Sequence, residues 1–290
     1  MNIQKSFENH ETGTLYIVPT PIGNLEDMTF RAVRVLKEVE AIGAEDTRNT
    51  KKLLNHFDID TSLVSYHEHN KQTRGPQLIE RLTAGEDLAV VSDAGMPGIS
   101  DPGTDLVRLA VEAAVPVVVL PGANAALPAL AGSGLPTEEF HFCGFLPRKK
   151  KDRKVVVDRL KTMEATLIFY ESPHRLKEML AHLYELLGAR PAALARELSK
   201  RYEEYARGTL EELSGWVQEQ ELRGEFVVLV EGTDEAVTED QLWWSAMSLV
   251  EHVEYYIRKE NKKNKDAIKQ TALDRKIPKR DVYQAYHIED

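Results

Sequence analysis

Apolar runs of strand length recur in the first half of the chain, at Leu15–Val18, Ala41–Ala44, Leu63–Tyr66, Leu88–Val91 and Val117–Leu120. Between them, apolar residues fall at helical spacing: from about Met28 through Val33 and Leu36, from Asp46 or Thr47 to about Asn55, from Pro76 to Ala84, and from Thr104 to Ala113. A small-residue stretch, Ala125–Ala131, follows the last run. Short apolar runs alternating with helical periodicity predict an α/β fold with a mostly parallel sheet.

The second half repeats the theme. Thr166–Tyr170, Ala192–Ala195 and Gly224–Val230 read as strands, and His174–Leu187 reads as a helix stopped by Gly188. Thr209 and Glu212 form a capping box at the start of a helix to Glu219. Gly132–Pro147, rich in glycine and proline, reads as a domain boundary, and Asp234–Asp240 as an acidic linker. The tail pairs a helix over Gln241–Glu260 with a segment from Asp266 to His287 that Ile277-Pro278 breaks. That pattern fits a helix-turn-helix or an ordinary packing hairpin. The expected organisation is therefore two α/β domains, 13–132 and 133–235, and a helical C-terminal extension, 240–290.

Three first-half strands run directly into proline- and glycine-rich loops: Pro19–Gly23, Ser92–Gly103 and Pro121–Asn124. Glycine permits left-handed backbone and close approach of a ligand, and proline stiffens the turn. In open α/β sheets, ligands bind beyond the carboxyl ends of the strands, so these loops are expected to share one end of the sheet and one ligand. None carries a dinucleotide or P-loop fingerprint. The longest has two carboxylates and no Lys or Arg, which suits a neutral or cationic ligand better than a phosphate.

Composition narrows this reading without redirecting it. At 290 residues, 42% hydrophobic and 29% charged, the chain resembles an ordinary soluble protein with a sizeable core. A single cysteine, Cys143, excludes an intrachain disulfide and a cysteine-rich metal site. The polar start and the absence of any membrane-length apolar run point to a cytoplasmic protein without a membrane role. The net charge of −10 conceals two basic islands. Arg148–Lys154 carries +5 and Arg258–Asp281 carries +6, leaving −21 on the remainder. Such islands fit contact with RNA, or simply a solvated linker and tail.

Candidate chemistry gathers at the strand ends. Glu45 and Asp46 could act as general base, although Asp46 is equally placed to cap the next helix. His67 and His69 are spaced as metal ligands would be at a strand end, but without cysteine or enough carboxylates no metal is expected. Ser92 and Ser172 lack a nucleophile-elbow setting. Arg196 and Glu197 suggest an internal ion pair. Cys143, among Phe140, Phe142 and Phe145, reads as core.

Taken in order, Thr14–Leu25, Ala44–Arg48, Val91–Gly103, Phe169–Arg175 and Arg196–Lys200 resemble the motifs of the tetrapyrrole methylase-like family, in particular its ribosomal-RNA-methylating members. The resemblance runs from about residue 14 to 232. It implies two α/β domains with S-adenosylmethionine in the cleft between them, and a homodimer. It also implies 2′-O-methylation of a decoding-region cytidine in 16S rRNA, within the 30S subunit. By similarity the cofactor falls to Pro21, Gly23, Gly95, Met96, Pro97, Ile99, Asn124 and Ala125, with Tyr170 closing the other side. Glu45, Asp46, His67 and Glu171 are the candidates to take or orient the acceptor proton. Arg48 would steer a phosphate, and Arg148, Lys149, Lys150 and Lys151, on a flexible basic hinge, would track RNA backbone. Residues 121–125 read Pro-Gly-Ala-Asn-Ala where relatives generally carry Pro-Gly-Pro-Ser/Cys-Ala, which singles out the contacts of Ala123 and Asn124. Methylation of a small tetrapyrrole or of a protein side chain, and a non-catalytic RNA-binding assembly factor, are the alternatives. The basic islands and the Ala44–Arg48 motif favour RNA.

Overall fold

The computed structural model describes residues 3–6, 10–101, 103–233 and 243–288. The acidic linker at 234–240, the Gln241 start of the tail and Pro102 lie outside those residues.

The first sheet is built from β1 (Leu15–Ile17), α1 (Phe30–Glu38), β2 (Ala41–Ala44), α2 (Thr47–His56), β3 (Ser62–Ser65), α3 (Lys71–Thr83), β4 (Leu88–Val91), α4 (Thr104–Glu112), β5 (Val117–Val119) and α5 (Ala126–Ser133). All of its pairings are parallel, in the order β3-β2-β4-β1-β5. β4 is apolar throughout because both of its faces are covered. Ala89 and Val91 pack with Val35, Leu36 and Leu54 of α1 and α2, while Leu88 and Val90 pack with Leu78, Leu82 and Leu106 of α3 and α4. The helix expected from Pro76 begins five residues earlier, at Lys71, and runs through Pro76. Pro76 is the sixth residue of the helix, past its first turn, so the helix forgoes there the hydrogen bond that a residue-76 N–H would give to the Gln72 carbonyl.

The next segment holds β6 (Phe140–Phe145), α6 (Lys150–Leu160), β7 (Thr166–Glu171), α7 (Pro173–Leu187), β8 (Pro191–Arg196), β9 (Glu204–Thr209), α8 (Leu210–Gln218) and β10 (Phe226–Val230). Its sheet is mixed, ordered β6-β7-β10-β8-β9, parallel only between β6 and β7. Two strands differ from the sequence expectation. β6 lies within the presumed boundary at 132–147, where Gly144, at φ +63°, breaks the register against β7. β9 is an edge strand with half-exposed residues, so it lacks the apolar run that marks its neighbours. The capping box of α8 forms as expected, Thr209 Oγ1 accepting from Glu212 N–H at 3.2 Å.

The tail forms α9 (Leu249–Glu260), α10 (Asn264–Asp274) and α11 (Lys279–Ile288), packed through Val253, Tyr256, Ala267, Ile268, Ala272 and Val282. Residues 147–164 belong with this tail as a second compact unit, while 1–146 and 165–231 form the first. Arg159 of α6 pairs with Glu260 of α9 at 2.7 Å and lies over the Trp243 ring at 5.5 Å. The basic hinge expected at 148–151 is thus the start of a helix: Lys149 occupies the N-cap position of α6 without a capping hydrogen bond from its side chain, and Lys150 and Lys151 begin its first turn. Among the described residues, no helix is long and apolar enough to cross a membrane.

Candidate functional site

In an all-parallel sheet every strand ends at the same edge, and β2, β4, β1 and β5 are consecutive neighbours. The three proline- and glycine-rich loops, which follow β1, β4 and β5, are therefore side by side. They are also joined. Thr20 and Gly95 exchange two backbone hydrogen bonds of 2.9 Å, and Thr20 Oγ1 donates to the Ser92 carbonyl at 3.0 Å. A Cβ on Gly122 would lie 2.9 Å from Pro19 Cβ, so the first and third loops touch as closely as backbone allows. Gly95 takes φ +80°, and a Cβ added there would lie 3.4 Å from Ile22 Cγ2 and 3.8 Å from the Ala123 carbonyl oxygen. The result is one rigid backbone surface made of three loops.

The cofactor candidates sit on or beside that surface. Pro97 is buried, and Ile99 is exposed. Met96 packs against the α3–α4 side of the sheet. Gly23, at φ +152°, lies under the aliphatic stem of Lys200, whose Cγ would be 2.3 Å from an added Cβ. Asn124 Oδ1 accepts from Leu127 N–H at 3.0 Å, so Asn124 caps the first turn of α5. Tyr170 packs against the same core cluster as Ile22, Ala125 and Ala126, and its ring meets Phe142 and Phe145 edge to face at 5.0 and 5.7 Å. Burial raises its phenol pKa, while backbone N–H groups of Ala126 and Ala125 donate to the phenolic oxygen. Tyr205 Oη donates to the Pro128 carbonyl at 3.0 Å, and its ring lies where a Cβ on Gly132 would be, so β9 also bears on this region.

A carboxylate cluster stands at the ends of β2 and β4. Asp93 Oδ1 accepts from Asp46 N–H at 3.2 Å, and Asp93 N–H donates back to the Glu45 carboxylate. Burial and the charge of Asp93 raise the Glu45 pKa, with the Asp93 N–H and His67 pulling the other way. Asp101 is pushed up to about 6, by burial first and then by Glu45 and Asp93. It also falls within the electrostatic reach of Tyr170. Asp93 and Asp101 are the residues that sequence reasoning passed over. Both stand in the quoted Val91–Gly103 motif, but nothing in their spacing shows that they meet Glu45. His67 follows β3, its ring 6.0 Å from that of His69, and its Nδ1 is buried without a hydrogen-bond partner among the described residues. No group of three or more His, Cys, Asp or Glu among the described residues could hold a metal ion.

Two candidate bases have other employment. Asp46 is the N-cap of α2, accepting from Arg48 N–H at 2.8 Å and pairing with the Arg48 guanidinium at 2.9 Å. Those hydrogen bonds bring its pKa down to about 2, too weak a base to take a hydroxyl proton readily. Arg48 is correspondingly engaged, although 87% of its side chain is exposed. Glu171 points inward with none of its side chain exposed. It accepts from Ser172 N–H at 2.8 Å and pairs with Arg175 at 3.3 Å, which itself donates to the Leu146 carbonyl. Glu171 therefore secures the turn after β7, because a buried carboxylate needs those partners. The expected Arg196–Glu197 pair is replaced by Arg196–Glu204 at 3.0 Å and Glu197–Lys200 at 2.8 Å. Cys143 is half-buried and pushed up to about 12 by burial, which keeps it a thiol.

Residues 14–214 match the sequence profile of the Tetrapyrrole (Corrin/Porphyrin) Methylases, and the chain belongs to that family. Its curated relatives are more specific. Ribosomal RNA small subunit methyltransferase I of Halalkalibacterium halodurans is 56% identical over 290 residues, 100% of each chain. The Bacillus subtilis protein of the same name is 54% identical over 287 residues, 98% of each chain. Among solved structures, the methyltransferase CobJ superposes with a TM-score of 0.57 at 18% identity, over 78% of this chain and 98% of that one. A conserved hypothetical protein from Aeropyrum pernix gives 0.60 at 17% identity, over 81% and 89%. These structures share the fold.

Proposed function

We propose that this chain is an S-adenosylmethionine-dependent methyltransferase that 2′-O-methylates the ribose of cytidine 1402 in 16S rRNA. The full-length likeness to relatives named for ribosomal RNA methylation supports RNA over a small tetrapyrrole. The observation that carries the methyl-donor part is the fused three-loop surface bordered by carboxylates. Its backbone carbonyls and the Glu45–Asp93–Asp101 cluster suit a sulfonium, an ammonium and a ribose diol, and those three loops contain no Lys or Arg for a phosphate tail. We further propose a homodimer acting in the cytoplasm on rRNA within the 30S subunit.

Pro21, Gly23, Gly95, Met96, Pro97, Ile99, Asn124, Ala125 and Tyr170 would hold the donor, which supplies an electrophilic methyl group. The chain's own task is alignment and proton removal. Loops locked by the Thr20–Gly95 pair fix the donor against drift, and orienting an acceptor oxygen along one axis accounts for much of such a transfer's acceleration. A ribose hydroxyl is a poor nucleophile until its proton is taken. Asp101, pushed up to about 6, suits that step, with Glu45, whose pKa is also raised by burial and by Asp93, beside it. His67, which acts electrostatically on Glu45, is placed to orient that carboxylate. Asp46 and Glu171 then serve as positioning groups for the turns after β2 and β7.

Methyl incorporation from labelled S-adenosylmethionine into isolated 30S subunits and naked 16S RNA, with the product mapped, tests the proposal. A 2′-O-methylcytidine in the decoding region supports it. No incorporation into either substrate, with micromolar S-adenosylmethionine binding retained, would redirect it to another acceptor. The absence of S-adenosylmethionine binding in calorimetry would leave an RNA-binding assembly factor.

A further inference from the structure

The two basic islands are over a hundred residues apart in the chain, yet they fold into the same unit. Lys259 of α9 reaches Asp152 of α6 at 3.5 Å, and Arg159 of α6 pairs with Glu260 of α9. Residues 147–164 and 243–288 together hold eighteen Lys and Arg against nine Asp and Glu, a charge of +9. The rest of the chain carries −19.

The cations of this unit divide into two sets. One set holds it together. Arg275 lies over the Trp244 ring at 4.7 Å and donates to the Trp244 and Ser248 carbonyls at 3.2 and 3.3 Å. Arg258 pairs with Glu254 at 2.6 Å, and Lys262 with Glu260 at 3.0 Å. The other set points to solvent. α10 buries Ala267, Ile268, Thr271 and Ala272, so helical spacing turns Lys265, Lys269 and Leu273 outward, with Lys276 beyond the last turn. Lys265, Lys269, Lys276 and Lys279 are exposed and have no carboxylate within ion-pair distance among the described residues. On α11, one turn beyond Lys279, Tyr283 is 52% exposed, its ring 4.4 Å from that of His287.

We propose that this unit is an RNA-binding module whose contact residues are Lys265 and Lys269 on α10, Lys276 in the turn after it and Lys279 at the start of α11, with Tyr283 as a stacking platform. The inference deepens the rRNA reading above and rests on it for the choice of RNA. Unpaired lysines, Lys265 and Lys269 one turn apart on α10 and Lys276 and Lys279 beyond it, neutralise a phosphate backbone and release its counterions. An exposed tyrosine one turn beyond Lys279 offers a face to an unpaired base. A protein partner fits these residues less well, because the cores of protein interfaces are depleted in lysine.

The test uses the full chain and a 16S fragment spanning the decoding region, with affinity read by fluorescence anisotropy over a salt series. Three lysine-to-glutamine changes together, K265Q, K269Q and K276Q, should weaken binding at least tenfold and lower the salt slope by about two, since each phosphate contact contributes about 0.7 to 0.9. Tyr283→Ala should cost about fivefold or more, in keeping with loss of one stacked base. The corresponding three arginine changes should bind as the parent does, and S-adenosylmethionine affinity should be unaltered in all. An unchanged affinity and slope in the folded glutamine variant overturns the module. So does equal loss in the arginine variant, which would mean packing, and so does a defect seen only with intact 30S subunits, which would mean a protein contact. The two readings fail separately. If the parent binds RNA through these residues but transfers no methyl group to it, the function falls and the module stands. If the parent methylates 16S RNA and the glutamine variant does so with unchanged KM, the module falls and the function stands.

Discussion

The carboxyl edge of the first sheet and the helical unit are held together by different means. At the edge, backbone is the common element: Thr20 bonds to Gly95 main chain to main chain, Gly122 lies against the Pro19 ring, and Gly95 lies against Ile22 Cγ2 and the Ala123 carbonyl. In the helical unit, side chains do the holding: Arg159 on Trp243 and Glu260, Arg275 on Trp244, and Tyr256 hydrogen-bonded to Asp274. A surface built on the main chain takes its shape from a few glycines: Gly122 has no room for a Cβ, and Gly95 holds a left-handed φ. A surface made of side chains can be altered a charge at a time. The first arrangement suits an invariant small ligand, and the second suits a long polyanion gripped at many weak points.

Substitutions should expose that difference, beginning with the proton-handling carboxylates. Asp101→Asn is expected to slow single-turnover methyl transfer by about 10²–10⁴, the range for loss of a positioned base. In the parent the rate should rise with pH through about 6, because only the ionised Asp101 accepts a proton, and the variant should lose that inflection. Glu45, Asp93, Tyr170 and, through Glu45, His67 are the groups that shape it. A variant with parental rates, or a parental profile flat from pH 5 to 8, would remove Asp101 from the mechanism.

Gly95→Val comes next. A β-branched residue at φ +80° costs about 1–2 kcal/mol in backbone strain alone, and it crowds Ile22 and Ala123. Calorimetry should show S-adenosylmethionine binding at least tenfold weaker while RNA affinity stays within twofold. Parental cofactor affinity would sink the three-loop site. A smaller effect is expected from neutralising Arg148, Lys149 and Lys151 together. RNA binding should weaken several-fold with a flatter salt slope and intact cofactor binding, as for loss of up to three phosphate contacts. If the slope is unchanged, the start of α6 does not touch RNA.

Asp46→Asn should matter least for chemistry. Asparagine is also a good N-cap, so stability should change by well under the roughly 1 kcal/mol expected of alanine, as read from the melting temperature. Methyl transfer should fall only a few-fold, through the released Arg48. A loss of several hundredfold would restore Asp46 as a base.

Much of the fold was legible in advance. The five first-half strands, the parallel sheet and the capping box of α8 all rest on local pattern: buried strands need continuous apolar runs, and helix starts need a capping side chain. β6 and β9 were missed because one is interrupted at Gly144 and the other is a half-exposed edge, so neither shows a run. The site was legible as loops and illegible as chemistry. Pro19–Gly23, Ser92–Gly103 and Pro121–Asn124 announce rigid turns by composition, whereas Glu171 looks like a free strand-end acid and is buried against Arg175.

By itself, the chain's sequence determined where it turns, where it is stiff, and which strand ends could meet a ligand, because those properties depend on neighbouring residues and on backbone stereochemistry. Only the tertiary structure decided which charges face one another. It set Asp93 beside Glu45 and Asp46, raised Asp101, withdrew Glu171, and gathered two distant basic islands into one unit. Electrostatic coupling acts through distances of a few ångströms in space. Residues 47 positions apart at the β2–β4 edge, or 107 apart in the helical unit, come within that reach only after the sheet and the helices have packed.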